Sequence, residues 1–121
     1  MEPTNGFFEI TQQGDTIILT PQTDMGELNA DRINSGMKHV LALLNNSSVK
    51  NIVLDFHKSG YYGSTALGFF FRLWRTISVR KGRMAFCNLS ENGKDVLKVM
   101  KLETLWDICT SREDALQTVR K

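Results

Sequence analysis

The chain is poor in the features that mark out most specialised protein classes. It has two cysteines and two prolines in 121 residues. Cys87 and Cys109 lie far apart in different local patterns, so they are read as small buried apolar residues rather than a disulfide, and two thiols are too few for a structural zinc site. The longest apolar run, around Ala66–Phe71, falls far short of the ~20 residues a membrane helix needs. The opening Met1-Glu2-Pro3-Thr4 has neither the basic segment nor the apolar stretch of a secretory leader, so a cytoplasmic protein is expected. Charge of one sign is also missing: 15 Lys and Arg face 13 Asp and Glu, and a net +2 is too weak to argue for a nucleic-acid partner. There is no linker, internal repeat or low-complexity stretch. No Walker-type phosphate loop, Gly-x-Ser-x-Gly elbow or paired-cysteine motif occurs, so the residues carry no enzyme signature and call for no cofactor. His57 has no second ligand at metal spacing, and His39 sits on a helix beside Val40, so no metal is expected either.

What remains is ordinary globular composition, 41% hydrophobic and 23% charged, over the length of one domain spanning residues 1–121. Such a chain buries roughly two-thirds of its unfolded surface and needs no staple. Residues 7–12 and 16–20 are β-branched and aromatic around Gln13-Gly14-Asp15, which predicts a hairpin; Pro21 ends its second strand, and a polar turn follows through Asp24 and Gly26. Ile33, Met37, Val40, Leu41 and Leu44 fall on one face of a helix from about Leu28 to Leu44. Residues 51–56 read as a strand buried on both faces, the kind found in parallel sheets. After a turn rich in Gly and Ser, a second helix starts near Ser64, with Leu67, Phe70, Phe71, Trp74 and Ile77 as its apolar stripe and Gly82 as a C-cap glycine. Residues 83–88 form another buried strand. Ser90 caps a third helix with Val96, Leu97 and Met100 facing inward. Residues 105–108 make a last short strand, and the capping box Thr110-Ser111-Arg112-Glu113 opens a final helix ending near Arg120. A hairpin followed by alternating helices and strands predicts an α/β fold. Its mixed sheet is mostly parallel, with an antiparallel edge strand, under about four helices.

In such a sheet, sites gather at the carboxyl ends of strands beside helix N-termini. The strand ending at Phe56 delivers the chain into His57–Gly63 and then to Ser64 and Thr65 at the start of the second helix. Free N–H groups and the helix dipole there favour an anion, including a phosphate on Ser64. The plainer reading makes Ser64 an N-cap. Tyr61 and Tyr62 stand beside it, either as an aromatic binding face or with one ring packed under the helix. Asp24 is either an interface residue or a turn-forming Asx residue. Arg72, Arg75, Arg80, Lys81 and Arg83 make a basic cluster that is either a solvated face or a contact for an acidic partner surface.

Val53-Leu54-Asp55-Phe56 through Gly63-Ser64-Thr65-Ala66-Leu67-Gly68 resembles the signature of the STAS domain, the family of bacterial anti-sigma factor antagonists. Upstream, Ile18-Leu19-Thr20, Asp24 and Leu28-Asn29-Ala30 resemble the family's second strand and the loop before its first helix, here longer by about two residues on our own gapping. Downstream, residues 82–87, 99–102 and 111–116 resemble its later segments, so the likeness runs in order along nearly the whole chain. It implies a non-enzymatic partner-switching module that binds an anti-sigma factor with serine/threonine kinase activity and regulates transcription. The kinase phosphorylates the serine at the helix start and thereby breaks the complex. That serine maps to Ser64, with Thr65 beside it, and the partner face to Asp24, Tyr61, Tyr62, Gly63 and Leu67. The chain departs from the family pattern at Gly63, where an aspartate is usual, and at Ala66, where a glycine is usual. Gly63 leaves open a phosphorylation-independent scaffold. Since STAS domains also serve membrane transporters, an accessory module handling a small ligand or lipid is a third expectation, and its sign would be a pocket at the Tyr61–Ser64 end.

Overall fold

The computed structural model describes residues 7–26 and 30–121. The predicted opening residues 1–4 and the predicted helix start at Leu28 and Asn29 lie outside them.

A five-stranded sheet forms the centre, with its strands side by side in chain order. Strands β1 (Phe8–Gln13) and β2 (Thr16–Pro21) pair antiparallel, Gln13 opposite Thr16. Gly14 takes φ +62 in the two-residue connection, the positive φ that tight hairpin loops ask for. Strand β3 (Asn51–Asp55) joins β2 in parallel, β4 (Met84–Cys87) joins β3, and β5 (Asp107–Cys109) joins β4. Four helices connect or follow them: α1 (Ala30–Asn45), α2 (Ser64–Ser78), α3 (Glu91–Val99) and α4 (Arg112–Arg120). The expected architecture is therefore the observed one.

Alternation along the strands divides the core into two layers. Ile17, Leu19, Ile52, Leu54, Met84 and Phe86 face the layer holding α1, α2 and Leu97 of α3. Ile18, Val53, Ala85 and Cys87 face the other way, onto Ala115, Leu116 and Val119 of α4. Aromatic rings fill the first layer: Phe70 meets Phe86 and Trp106 edge-on at 5.1 and 6.4 Å between centroids.

Several local expectations shift. The fully buried face of α2 is Ala66, Phe69, Phe70, Leu73 and Ile77, while Leu67, Phe71 and Trp74 are half-buried. Thr65, Gly68, Arg72 and Arg75 line its exposed side, so the buried face is turned by about one residue from the expected stripe. In α3, Leu97 is buried but Met100 ends up exposed beyond the helix end. A 3-10 turn at Leu102–Thr104 precedes the expected last strand, and β5 begins at Asp107, two residues later than the expected start at Leu105. The cap of α4 is Ser111, whose hydroxyl accepts from the Asp114 N–H at 3.1 Å; Thr110 donates to the Asp114 carboxylate at 2.9 Å. The box is thus one residue later than its sequence pattern. After α2, Lys81 rather than Gly82 takes the left-handed conformation, at φ +61. Gly82 is required for a different reason: a Cβ there would overlap the Lys50 carbonyl. Cys87 is buried and Cys109 half-buried, both as free thiols, and burial pushes the Cys87 thiol up to about 12.

Candidate functional site

The apolar run of β3 ends on a carboxylate. Asp55 is almost fully buried, and burial alone would raise its pKa. Hydrogen bonds to its ionised form outweigh that and hold it below the ordinary carboxylate value. Asn88 Nδ2 donates to Oδ1 at 2.9 Å, and Arg112 Nε to Oδ2 at 2.8 Å. The His57 N–H donates to Oδ1 at 3.0 Å, and His57 Nδ1 lies 3.1 Å from the same oxygen. Arg112 also donates to Thr20 Oγ1 at 3.2 Å. One buried charge therefore ties the carboxyl ends of β2, β3 and β4 to the first turn of α4.

The loop that leaves Asp55 is hydrogen-bonded along most of its length. Ser59 Oγ donates to the Tyr61 carbonyl at 3.2 Å, and Ser90 Oγ donates to the Gly60 carbonyl at 2.9 Å. The Gly60 N–H donates to Asp24 Oδ1 at 2.8 Å. Met25 and the 61–63 segment exchange backbone bonds like two short strands: Met25 N–H to Tyr61 O at 2.8 Å, and Gly63 N–H to Met25 O at 3.0 Å. Below, Tyr62 donates its hydroxyl to the Gly93 carbonyl at 2.6 Å, and its ring packs on Phe56 and Phe70. Burial pushes the Tyr62 phenol up to about 12.

This scaffold presents Ser64 as the first residue of α2. Ser64 and Thr65 are both exposed, and neither hydroxyl makes a hydrogen bond among the described residues. The N-cap is Gly63, which has no side chain to offer, so the plain N-cap reading of Ser64 does not hold. Tyr61 is exposed at 45% and lies over Gly26 and Gly63. Tyr62 is corrected from the expected partner face to the core. Asp24 is exposed at the surface while it anchors Gly60, and Leu67 is half-buried one turn into the helix. Of the expected residues, Asp24, Tyr61, Gly63, Ser64 and Thr65 share one surface.

The basic cluster does not hold together. Arg72 and Arg75 are exposed on α2, whereas Arg80 donates to the Val49 and Leu44 carbonyls at 2.6 and 2.8 Å as a structural brace. Arg83 pairs with Asp107 at 2.9 Å. An open groove of about 650 Å³ flanks the loop, lined by His57 to Gly60, Asn88 to Ser90, Lys94, Cys109 and Thr110. It lies next to the Tyr61–Ser64 segment without being lined by it. Sequence reasoning missed Asp55, Asn88 and Arg112 as organisers of the loop. The available signal was a carboxylate at the end of an apolar strand, which a fold can bury only with partners.

The family model for the STAS domain matches residues 7–115. No curated protein matches the sequence. Among solved structures, a Thermotoga maritima protein described as an anti-sigma factor antagonist superposes with a TM-score of 0.82 at 24% identity, covering 94% of this chain and 95% of that one. The anti-sigma factor antagonist SpoIIAA in its unphosphorylated form gives 0.77 at 17%, covering 93% and 96%. A Planctomyces limnophilus STAS domain protein gives 0.79 at 19%, covering 96% and 100%. At these identities the structures establish a shared fold, and with the match of the family model along almost the entire length, the chain belongs to the STAS domain family.

Proposed function

We propose that the chain is a regulatory interaction module that binds an anti-sigma factor with serine kinase activity and is switched by phosphorylation of Ser64. The observation that carries this reading is the unpartnered, exposed Ser64 hydroxyl on the first turn of α2, beside Tyr61 and the Asp24-anchored loop. A phosphate there adds a charge of about −1.5 to −2 to a surface that has to seat a partner closely. It would gain from the helix N-terminus, so the folded module tolerates it while the complex does not. SpoIIAA, which shares the fold, has been solved in both unphosphorylated and phosphorylated forms. Thr65 is the neighbouring alternative acceptor. The test is incubation with ATP and the serine kinase encoded nearest to the gene, read by intact mass. A gain of one phosphate, lost in Ser64→Ala, is expected; an unmodified chain beside an active kinase rejects the switch.

Gly63 favours a second reading, since no carboxylate stands there to orient the Ser64 hydroxyl. In it, the same face binds its partner irrespective of phosphorylation. Ser64→Ala and Ser64→Asp would then bind equally well, and a tenfold difference, about 1.4 kcal/mol, excludes it.

A further inference from the structure

The parallel strands gather their amino ends at the pole of the molecule opposite Ser64, roughly 17 Å away along a five-residue strand. Asp15, Lys50, Lys81, Arg83, Arg120 and Lys121 converge there on a cavity of about 200 Å³. Four separate stretches of chain deliver them: the hairpin tip, the approach to β3, the α2–β4 connection and the end of α4. The convergence is built in. The Lys50 and Asn51 N–H groups both donate to the Asp15 carbonyl, at 2.7 and 3.0 Å. Gly82 lies so close to the Lys50 carbonyl that no side chain fits between them, which clamps the Lys50 and Lys81 segments together.

Three of these five cations are not engaged by the fold. Arg83 pairs with Asp107, and Arg120 donates to the neutral Gln13 amide at 3.2 Å. The ammonium groups of Lys50, Lys81 and Lys121 make neither an ion pair nor a hydrogen bond among the described residues. With Asp15 and Asp107 counted, the pole sets five side-chain cations against two side-chain carboxylates. The whole chain has 15 against 13, so everything outside the pole has 10 against 11. The positive side-chain excess of the chain is thus gathered at this pole, on five exposed side chains.

We infer that this pole binds a phosphate-type polyanion, a group of pyrophosphate size and charge. The cavity is smaller than the 300–1,000 Å³ or so typical of drug-sized ligands. Its lining has no aromatic ring on which a base could stack, and Val119 is its one aliphatic side chain. Lysine point charges and an arginine fork suit phosphoryl oxygens. The group could come from a free polyphosphate or from the head group of an anionic phospholipid, and the experiment separates these. The site is far from Ser64, so its occupancy is independent of the reading above.

The test is an amide NMR titration of the full chain with sodium pyrophosphate, alongside co-sedimentation with vesicles of phosphatidic acid or of phosphatidylcholine alone. Saturable shifts at Lys50, Asn51, Lys81–Arg83 and Arg120, with the His57–Ser64 amides unmoved, are expected for the free anion. Binding to phosphatidic acid vesicles alone assigns the head group instead. In either case Lys50→Glu/Lys81→Glu should weaken binding at least tenfold. Lys50→Gln/Lys81→Gln, which removes charge without reversing it, serves if the first variant does not fold. Lys58→Glu/Lys94→Glu, at the other pole, should leave binding unchanged. The proposal is overturned by any of three results: no saturable binding to either probe, equal weakening by the two lysine pairs, or tighter binding of a DNA duplex than of pyrophosphate through the same residues.

Discussion

Arg112 Nε donates to Asp55 Oδ2 at 2.8 Å, joining two residues 57 positions apart in the chain. The carboxylate is buried and the guanidinium about one-third exposed, so this is a half-sheltered ion pair on which further groups, Asn88 and His57, depend. It fixes the point at which the chain turns from the sheet toward Ser64.

Replacing Asp55 by asparagine keeps the shape and removes the charge. We expect a loss of about 1–3 kcal/mol at neutral pH, the cost of leaving charged hydrogen-bonding groups poorly matched. Because the folded pKa of Asp55 lies below its unfolded value, its contribution is present above the ordinary carboxylate pKa and is lost as pH falls through the folded one. Urea unfolding at neutral and strongly acidic pH checks this: the gap between wild type and Asp55→Asn should close in acid, and a gap that stays constant with pH rules out the assignment.

Tyr61 and Tyr62 are adjacent in sequence yet should respond differently to loss of the hydroxyl. Tyr62→Phe leaves the Gly93 carbonyl without its 2.6 Å partner in the core and should cost about 1–3 kcal/mol. Tyr61→Phe should stay within about 0.5 kcal/mol in stability. Thermal unfolding of the two variants side by side tests the division of labour, and an equal loss contradicts it.

Gly63→Asp restores the residue usual in the family. The backbone there is extended, at φ −111, and a Cβ would come no closer than 3.5 Å to the Tyr61 hydroxyl. The variant should fold, with a gain of a few tenths of a kcal/mol from capping α2. It should also take up phosphate on Ser64 faster than wild type, as read by intact mass over a time course. Slower uptake would show that the carboxylate does not assist this hydroxyl.

Two glycines make opposite predictions. Gly82→Ala forces a methyl into the Lys50 carbonyl and should cost at least 1–3 kcal/mol, the range for overpacking. Gly68→Ala places its methyl in open space on the exposed side of α2 and should stabilise by about 0.5–1 kcal/mol. Paired denaturation curves decide both.

The order of elements was legible because each carries its own local signal. The apolar runs at 51–56 and 83–88 are too short for helices and too continuous for half-exposed strands, and Ser90 and Ser111 mark helix starts by their side-chain chemistry. Ser64 was legible as a helix start for the same reason, although the cap itself is its neighbour Gly63. What was not legible depends on residues far apart in sequence. Nothing near Tyr61 or Tyr62 says which ring goes inward; Gly93, 31 residues away, accepts the hydroxyl of one of them. The role of Gly82 is set by Lys50, and that of Asp55 by Arg112. The α2 stripe was set about one residue off because Leu67, Phe71 and Trp74 flank the buried face and read as part of it, although Arg72 and Arg75 mark the exposed side.

The unbroken neighbour order of the strands bears on how the molecule is made. Each strand emerges from the ribosome when the one it will pair with has already been synthesised, so the sheet can grow by addition at a single edge without waiting for a distant segment. Arg112 is the exception to that sequential economy. Until the last helix is translated, Asp55 lacks the Arg112 guanidinium, and the nascent domain is completed only when α4 docks.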